Sequence, residues 1–358
     1  MMSTYIKFLV KIFLKSFLNI FLVMTSLVFI LNILKEIEFF SDKNVNAIYP
    51  VYLSLMSSPS IIFEMFPFIF LISTQFFFIK LLNNNEINIF KYSGLNNLKI
   101  IKVLSALSLF LGFLIIIFFY NISSNLQSYY LELKNQYSKD KTYLAVINKN
   151  GLWIKDIYED KISIINSAKI ENNFLKETII TTFDKNYNPI RNIKSDKIDI
   201  RENNWLVHDA SIIEKDVNKN INLYKFETNF NLKMIESLFS NLSSLSIIKL
   251  VNLRNNYNSL NYSIIDVDIQ IYKIFTFPIF LMLMTIFSSI IMFNTKNFKS
   301  NSFKIVIGLL FSVTIYYITN FFNVMGSTEK IPLTFAIWIP LIFLSIINVI
   351  MLTKINEK

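Results

Sequence analysis

The chain has 358 residues, 53% of them hydrophobic, and a mean hydropathy of +0.45, values that exclude an ordinary soluble protein. It contains no cysteine, which excludes disulfides, zinc–thiolate sites and iron–sulfur clusters. Its formal net charge of +10 does not indicate nucleic-acid binding, because many of its lysines flank long apolar segments, where they report membrane topology.

Six apolar segments, each about 18–22 residues long, fall into two groups of three on either side of a polar stretch. At about 1.5 Å per helical residue, each is long enough to cross a hydrocarbon core of about 30 Å. We therefore predict an α-helical membrane protein with three transmembrane helices at each end of the chain. The segments are Phe17–Leu34, Ile61–Leu82, Val103–Ile122, Ile274–Phe293, Phe303–Phe322 and Leu333–Leu352.

The first apolar segment follows Lys7, Lys11 and Lys15, an arrangement that is typical of the start of a signal peptide. Its apolar run is long for a signal peptide, however, and no cleavage motif of small residues follows it. We expect this segment to be a retained membrane anchor.

Glu64 lies at the predicted outer end of the second span, between Pro59 and Pro67. A carboxylate costs up to about 2.5–3.5 kcal/mol at the centre of a membrane helix and less near its ends. Two interpretations stay open. Glu64 has an internal partner or a role at the helix end, or it simply sits at the membrane interface.

The loop Asn83–Lys99, predicted to lie inside, contains a pattern typical of a short helix that starts near Asn85. Glu86 would lie in its first turn, where the helix dipole favours a negative charge, and Gly94 would end it. Such a helix, parallel to the membrane, suits docking on a cytoplasmic motor. An ordinary amphipathic connector is the alternative.

The polar stretch between the two groups of spans changes from a helical to a strand-like pattern. Ser123–Lys139 is predicted to be a helix that leaves the membrane, and a helical pattern returns from Leu238. Lys149-Asn150-Gly151 indicates a hairpin turn. Many short strands at this spacing predict an all-β sandwich or an open jelly roll. The strands are Thr142–Asn148, Leu152–Ile157, Lys161–Asn166, Thr178–Phe183, Lys194–Ile200, Trp205–Ile213 and Asn222–Thr228.

No catalytic constellation is visible in the sequence. The chain has five glycines and none is followed by lysine, which excludes the phosphate-binding loop of a P-loop ATPase. If ATP powers this protein, a separate subunit must hydrolyse it. His208 is the only histidine, and no Ser/His/Asp triad or metal cluster can be built around it.

The distribution of lysines predicts the orientation in the membrane. With both termini inside, the inner segments are much richer in lysine than the short outer segments, as the positive-inside rule requires. The large polar domain is then outside. The inner lysines are Lys7, Lys11, Lys15, Lys80, Lys91, Lys99, Lys102, Lys296, Lys299, Lys304, Lys354 and Lys358; the outer ones are Lys35, Lys43, Lys273 and Lys330.

Several short motifs, taken in chain order, resemble the LptF/LptG permeases of the lipopolysaccharide-export ABC transporter over essentially the whole chain. Their order within the three-plus-three layout makes the resemblance specific. The motifs are Pro59-x4-Glu64-x2-Pro67, Asn85-Glu86-Ile87-x6-Gly94, Gly151-Leu152-Trp153-Ile154, Asn204-Trp205, Pro278-x3-Met282-x-Met284 and the stretch from Gly326 to Trp338-Ile339-Pro340.

The resemblance implies a permease subunit, not an enzyme, that pairs with a paralogous LptF-type permease to enclose a membrane cavity. Lipopolysaccharide would enter from the outer leaflet of the inner membrane, and a cytoplasmic ATPase dimer would push it to β-jellyroll domains. A bitopic periplasmic LptC-type protein is expected beside the first span. Residues 1–122 would form helices 1–3, with a cytoplasmic coupling loop near 83–99. Residues 123–270 would form the periplasmic domain, with a jellyroll core at about 140–235, and residues 271–358 would form helices 4–6.

The resemblance also leads to candidate site residues. A phosphorylated lipid needs basic residues near the outer rim of an apolar cavity, and Lys35 and Lys43 follow the first span. They are the predicted lipid contacts, with snorkelling lysines at a helix end as the alternative. No catalytic residue, metal, cofactor or nucleic-acid partner is expected. The predicted ATPase-coupling residues are Glu86, Phe90 and Gly94, and the predicted structural motif of the membrane region is Pro59, Glu64, Pro67, Trp338 and Pro340.

Between the two paralogues, the Gly-Leu-Trp and Trp-x-Pro stretches favour the LptG type. The chain departs from the family at Lys296-Asn297-Phe298-Lys299, which lacks the usual arginines, and at Asn85, which replaces a serine. A lipoprotein-release or other ABC permease is the main alternative, although those usually place one span before the outer domain. A non-transport membrane sensor or anchor is another. The expected location is the bacterial inner membrane, with both termini cytoplasmic.

Overall fold

The computed structural model describes residues 4–43, 45–137, 152–159, 161–171, 173–214, 217–232, 234–235, 241–259, 262–294 and 300–356. The chain divides into two units, one formed by Met1–Tyr130 with Ile265–Lys358 and the other by Leu131–Ile264. Four sequence predictions fall on residues outside the described ones: the strand Thr142–Asn148, the hairpin at residues 149–151, the start of the helical pattern at Leu238 and the basic loop at residues 296–299.

Six helices of the described chain are long and apolar enough to cross a membrane, which confirms the three-plus-three prediction. The third crossing is one continuous helix in which a π-helical turn, Ile115–Tyr120, joins α4 to α5. The helices are α1 (Thr4–Phe40), α2 (Ile48–Asn83), α3 (Glu86–Tyr92), α4 (Asn97–Leu114), α5 (Asn121–Asn135), α6 (Ile247–Ser259), α7 (Ile265–Asn294), α8 (Asn301–Ser327) and α9 (Leu333–Asn356).

Helix α2 begins much earlier than predicted. The helix starts at Ile48, so Pro59 does not begin it, and Pro59 and Glu64 both lie well inside α2. The side chain of Asn46 accepts a hydrogen bond from the Ile48 N–H at 3.1 Å and so supports the earlier start. An internal proline removes one backbone hydrogen bond, which membrane helices tolerate.

Helices α2 and α7 form the centre of the bundle. In their most apolar windows 67% and 72% of residues are buried, against 11% for α1 and for α8. Within hydrocarbon, interhelical hydrogen bonds from small polar side chains hold helices together. Such bonds among the described residues include Ser288 Oγ to Leu71 O (2.7 Å), Thr285 Oγ1 to Ser108 Oγ (2.8 Å), Gln75 Nε2 to Lys304 O (2.9 Å) and Asn348 Nδ2 to Leu283 O (3.1 Å).

Gly112 of α4 packs directly against Pro278 of α7. A Cβ atom at position 112 would lie 2.7 Å from the Pro278 Cα, a backbone atom that cannot swing aside. Glycine at this position therefore permits a close helix–helix approach, as small residues commonly do in membranes. This contact also gives Pro278, which sequence analysis noted as part of a motif, a packing role.

We expect Gly112→Leu to destabilise the bundle by about 1–3 kcal/mol, because the added side chain must push α4 away from α7. The thermal midpoint of the full-length protein in detergent should fall by several degrees. Ala106→Leu, at an exposed position of the same helix, is the matched control and should leave the midpoint nearly unchanged. Equal midpoints for the two variants would contradict the close contact.

In its described residues the second unit contains a six-stranded antiparallel sheet whose strands pair in sequential order from β1 to β6. All six predicted strands that fall within the described residues are present, and most are longer than predicted. Together with the helices, this confirms the predicted fold class of a helical membrane protein with a β domain between its third and fourth spans. The strands are β1 (Leu152–Tyr158), β2 (Lys161–Glu171), β3 (Phe174–Phe183), β4 (Pro189–Asp199), β5 (Asn204–Glu214) and β6 (Val217–Glu227).

One face of the sheet covers an apolar core built around Trp205. This side chain is fully buried, and its Nε1–H donates to the Phe230 carbonyl at 2.7 Å. Buried Asp156 of β1 accepts hydrogen bonds from Thr228 Oγ1 and from Asn229 Nδ2 (2.8 Å), just beyond the end of β6. The first strand is thereby tied to the segment after the last, so the sheet bends around its own core.

After the predicted start at Leu238, which lies outside the described residues, helix α6 covers Ile247–Ser259. Before it, Leu242–Ser244 forms a 3₁₀ turn, and the Asn241 side chain accepts a hydrogen bond from the Ser243 N–H at 3.0 Å. Asparagine and serine side chains that bond to nearby backbone compete with helix formation, so this turn is not part of α6.

Candidate lipid-binding and motor-docking sites

Two buried polar side chains set the rotation of α1 about its axis. Asn32 is 5% exposed, and its Nδ2 donates to Ser57 Oγ (3.2 Å) and Ser58 Oγ (3.1 Å) on α2. One helical turn further on, Glu36 is 3% exposed and accepts a hydrogen bond from the Tyr130 hydroxyl at 2.8 Å. Because unpaired polar groups are costly in an apolar environment, this face of α1 must stay turned into the bundle.

Lys35 lies three residues after Asn32 on α1 and is exposed. Two neighbouring side chains of the same helix, Leu31 and Leu34, are apolar and also exposed, at 51% and 59%. The arrangement is a basic group at the end of an apolar surface, which suits an amphipathic lipid with a charged head. The inward contacts of Asn32 and Glu36 hold Lys35 outward.

Lys43 lies in the turn that follows α1. Its Nζ sits 3.2 Å from the ring centroid of Phe39 and 5.2 Å from that of Phe40, which places the cation over two aromatic faces. The structure thus positions Lys35 and Lys43 at the same end of α1, as the sequence predicts. Lys43 is only partly exposed, and the two rings restrain it more than Lys35.

Glu64 faces the outside of the bundle from the middle of α2. The adjacent Phe63 stacks on Phe277 of α7, with ring centroids 4.5 Å apart. Lys273, also on α7, carries an opposite charge that attracts Glu64. The internal partner and the interface position both stay predictions for Glu64.

The predicted short helix after the second span is present as α3. It starts at Glu86, whose Oε1 accepts a hydrogen bond from Asn84 Nδ2 at 3.1 Å. The other carboxylate oxygen, Oε2, has no hydrogen-bond partner among the described residues. A negative group in the first turn of a helix is favoured by the helix dipole.

Gly94 ends α3, as predicted. Its φ of 75° lies in the left-handed region that favours glycine, and the Leu95 N–H closes the end by donating to the Phe90 carbonyl at 2.9 Å. The Phe90 ring packs edge-on against Phe8 of α1, with centroids 5.9 Å apart. Glu86, Phe90 and Gly94 therefore belong to one short helix that rests on the first turns of α1.

A comparison with known families identifies the protein family to which a chain with this layout belongs. The family model of the lipopolysaccharide export system permease LptF/LptG matches residues 7–354 of the chain. The chain belongs to the LptF/LptG permease family. A comparison with curated proteins found no match. With its six membrane helices, the permease is a multi-pass inner-membrane protein and a non-catalytic subunit of a lipopolysaccharide export system.

The remaining motif residues of the permease contribute to helix packing. Pro340 is buried and Trp338 partly buried in α9, and Trp338 packs against the main core of the bundle. Gly326 of α8 faces Ala336 of α9, and a Cβ on the glycine would lie 2.7 Å from that of the alanine. The stretch from Gly326 to Pro340 thus joins the last two helices closely.

The sheet domain of the permease carries few perturbed ionisable groups among its described residues. Side-chain hydrogen bonds from the Arg201 guanidinium hold the pKa of Asp199 below its usual value. Burial raises the pKa of Tyr262 to about 12, and its hydroxyl accepts from the Lys155 N–H at 3.1 Å on β1. His208 lies on β5 opposite Lys197. The described residues contain no group of acids and histidines able to hold a metal.

Sequence analysis missed the residues that orient the candidate lipid contacts. Asn32, Glu36 and Tyr130 were not singled out, although an asparagine and a glutamate four residues apart in an apolar helix are a visible signal. Lys273 was counted only as a loop lysine. The helix it belongs to begins earlier than the apolar run indicates, at Ile265.

Proposed function

We propose that this permease is the LptG-type half of a heterodimer that extracts lipopolysaccharide from the inner membrane. It pairs with an LptF-type paralogue, and the lipid enters the cavity between them and leaves through the sheet domain towards the outer membrane. The observation that carries the proposal is the family match over residues 7–354, joined to an outward basic group at the end of an apolar helix face.

The proposed orientation has both termini in the cytoplasm and the sheet domain in the periplasm. The excess of lysine in the short segments on the side of the termini supports it, since short loops rich in lysine stay inside. In this orientation Lys35 and Lys43 reach the outer leaflet, in which lipopolysaccharide is located before its export. Helix α3 then faces the cytoplasm.

Lys35 and Lys43 are the proposed contacts for the lipid phosphates. The apolar face of α1 below Lys35 offers a surface for acyl chains, and the lysine offers a charge for the phosphorylated head. The hydrogen bonds of Asn32 and Glu36 support this role because they keep Lys35 pointing away from the bundle.

We expect Lys35→Gln/Lys43→Gln to reduce photo-crosslinking of lipopolysaccharide by at least about fivefold, the factor that one lysine near an anionic lipid surface contributes. A crosslinker on the exposed face of α1, at Leu31, reports occupancy in the assembled complex. Lys330→Gln, at another exposed lysine on the same side of the membrane, is the matched control. Crosslinking at the wild-type level in the double variant would contradict the assignment.

Helix α3 is the proposed docking element for a cytoplasmic ATPase dimer. The carboxylate of Glu86 is its proposed polar contact, and Phe90 and Gly94 fix the shape of the helix. The chain lacks a phosphate-binding loop, so the energy must come from that separate subunit. An LptC-type protein with one membrane helix is the further proposed partner, placed beside α1.

A further inference from the structure

A recess of about 540 Å³ lies between α1 and α2. This volume falls within the range of about 300–1,000 Å³ that is common for small-molecule sites. The recess combines an apolar wall with polar and basic groups. Its described lining residues are Ser16, Asn19, Ile20, Val23, Met24, Ile72, Phe76, Ile79, Lys80 and Asn83.

A row of lysines borders this recess. Lys7, Lys11 and Lys15 are exposed and spaced by four residues, so they share one face of α1. They line a second recess, of about 580 Å³, which shares Asn19 with the first. With Lys80, four positive charges surround the two recesses, and no acidic residue is among their described lining residues.

Two of these lysines, Lys11 and Lys15, lie unusually far from the end of the helix bundle, towards its apolar middle. Lys11 and Lys15 flank Phe13, whose ring packs against Phe70 and Phe77 of α2 with centroids 6.3 and 6.2 Å away. They therefore lie level with an uncharged, largely apolar stretch of α2, short of the end marked by Lys80. A charge at such depth calls for an anionic partner or for water.

The neighbouring elements leave these charges without an acid to neutralise them. Helix α1 has no acidic residue before Glu36, which is near its other end. Helix α3, which touches α1 through Phe90 and Phe8, carries one acidic residue, Glu86, and this carboxylate forms no ion pair with these lysines among the described residues. Among the described residues, no ion pair joins these lysines to a carboxylate.

We propose that the recess binds an anionic glycerophospholipid from the leaflet on the side of the chain termini. Its phosphate lies among the lysines and an acyl chain lies between α1 and α2, against Val23, Ile72 and Phe76. Basic pockets between membrane helices on the cytoplasmic side are typical sites for anionic head groups. The leaflet assignment rests on the orientation proposed above, in which lipopolysaccharide occupies the opposite leaflet.

The proposed lipid site is connected by direct contacts to helix α3, the proposed docking element. Phe8 lies one residue from Lys7 and packs against Phe90 of α3, so a lipid that orders the start of α1 also supports α3. Anionic lipid should therefore strengthen the coupling between ATP hydrolysis and transport.

The test uses the full-length protein, purified from membranes with its partner subunits, and native mass spectrometry of bound phosphatidylglycerol. Lys15→Gln/Lys80→Gln should weaken retention about 30-fold, since each lysine contributes roughly a factor of five. Lys99→Gln/Lys102→Gln removes two exposed lysines of α4 at the same end of the bundle and is the matched control. It should retain the lipid at the wild-type level.

A second variant, Val23→Trp, fills the apolar part of the recess and leaves every lysine in place, and it should also expel the lipid. Equal losses in both lysine pairs would mean that the lipid is attracted by bulk charge only, and would overturn the proposal. So would unchanged retention, or the recovery of lipopolysaccharide or a partner helix from the recess. Export of lipopolysaccharide, scored separately in the same variants, tests the proposed function without reference to this site.

Discussion

Replacing Trp205 by alanine should lower the free energy of opening of the sheet domain by about 3–5 kcal/mol, the usual cost of removing a large buried aromatic side chain. Trp205 is fully buried at the centre of the sheet core and also satisfies the Phe230 carbonyl through its Nε1–H. The variant loses both the packing and the hydrogen bond. Hydrogen exchange of the amides of β5 in the full-length protein in detergent measures this free energy directly.

Trp153→Ala is the matched control for Trp205→Ala, because it removes a tryptophan of the same sheet. Trp153 lies on β1 with 59% of its surface exposed, so its removal should change the same free energy by less than about 1 kcal/mol. A loss at Trp205 that does not exceed the loss at Trp153 would mean that the core is not organised around Trp205. Exchange in the membrane helices, measured in the same experiment, should be unaffected by either change.

Glu86→Lys should reduce the ATPase that copurifies with the permease by at least about tenfold. Charge reversal in the first turn of α3 works against the helix dipole. It also leaves the basic or hydrogen-bond-donating group of the ATPase that contacts Glu86 without its partner. Removing one partner of a desolvated polar contact weakens binding strongly. Quantitative immunoblotting of the purified complex measures the copurifying ATPase, and ATPase activity in the presence of lipopolysaccharide reports the remaining coupling.

Two controls separate docking from folding. Glu132→Lys reverses an exposed acidic charge on α5, far along the chain from α3, and should leave copurification intact. Glu86→Gln keeps the hydrogen bond from Asn84 and should have an intermediate effect. Intact copurification and coupling in Glu86→Lys would remove α3 from the docking surface.

The membrane layout could be predicted from the sequence because hydrocarbon imposes length and composition directly. All six spans were found, but their ends were not. Hydropathy marks only the part of a helix that crosses the apolar core, whereas α1 continues to Phe40 and α2 begins at Ile48. The start of α2 was predicted too late, because Pro59 was taken as its first residue, whereas Pro59 lies inside the helix.

The contacts that orient the candidate site could not be predicted. Asn32 finds its partners on α2, and Glu36 finds Tyr130 on α5. Each pair depends on how helices pack and rotate, which the pattern of one helix does not contain. Close approaches such as that of Gly112 to Pro278 depend on the same packing.

The positions of the strands could be predicted from the sequence better than the order in which they pair in the sheet. Alternation of Ile, Val and aromatic residues with polar ones marked each strand, but the polar start of β6 was left out because both faces are exposed there. The sequential pairing and the tie from Asp156 to the segment after β6 needed the structure.

Depletion of the protein in its own cells tests directly whether this chain serves lipopolysaccharide export, when newly made, pulse-labelled lipopolysaccharide is followed in separated inner and outer membranes. We expect labelled lipopolysaccharide to accumulate in the inner membrane, and the wild-type chain, expressed from a second copy, to restore delivery. Delivery to the outer membrane at the normal rate after depletion would show that the chain does not serve this export.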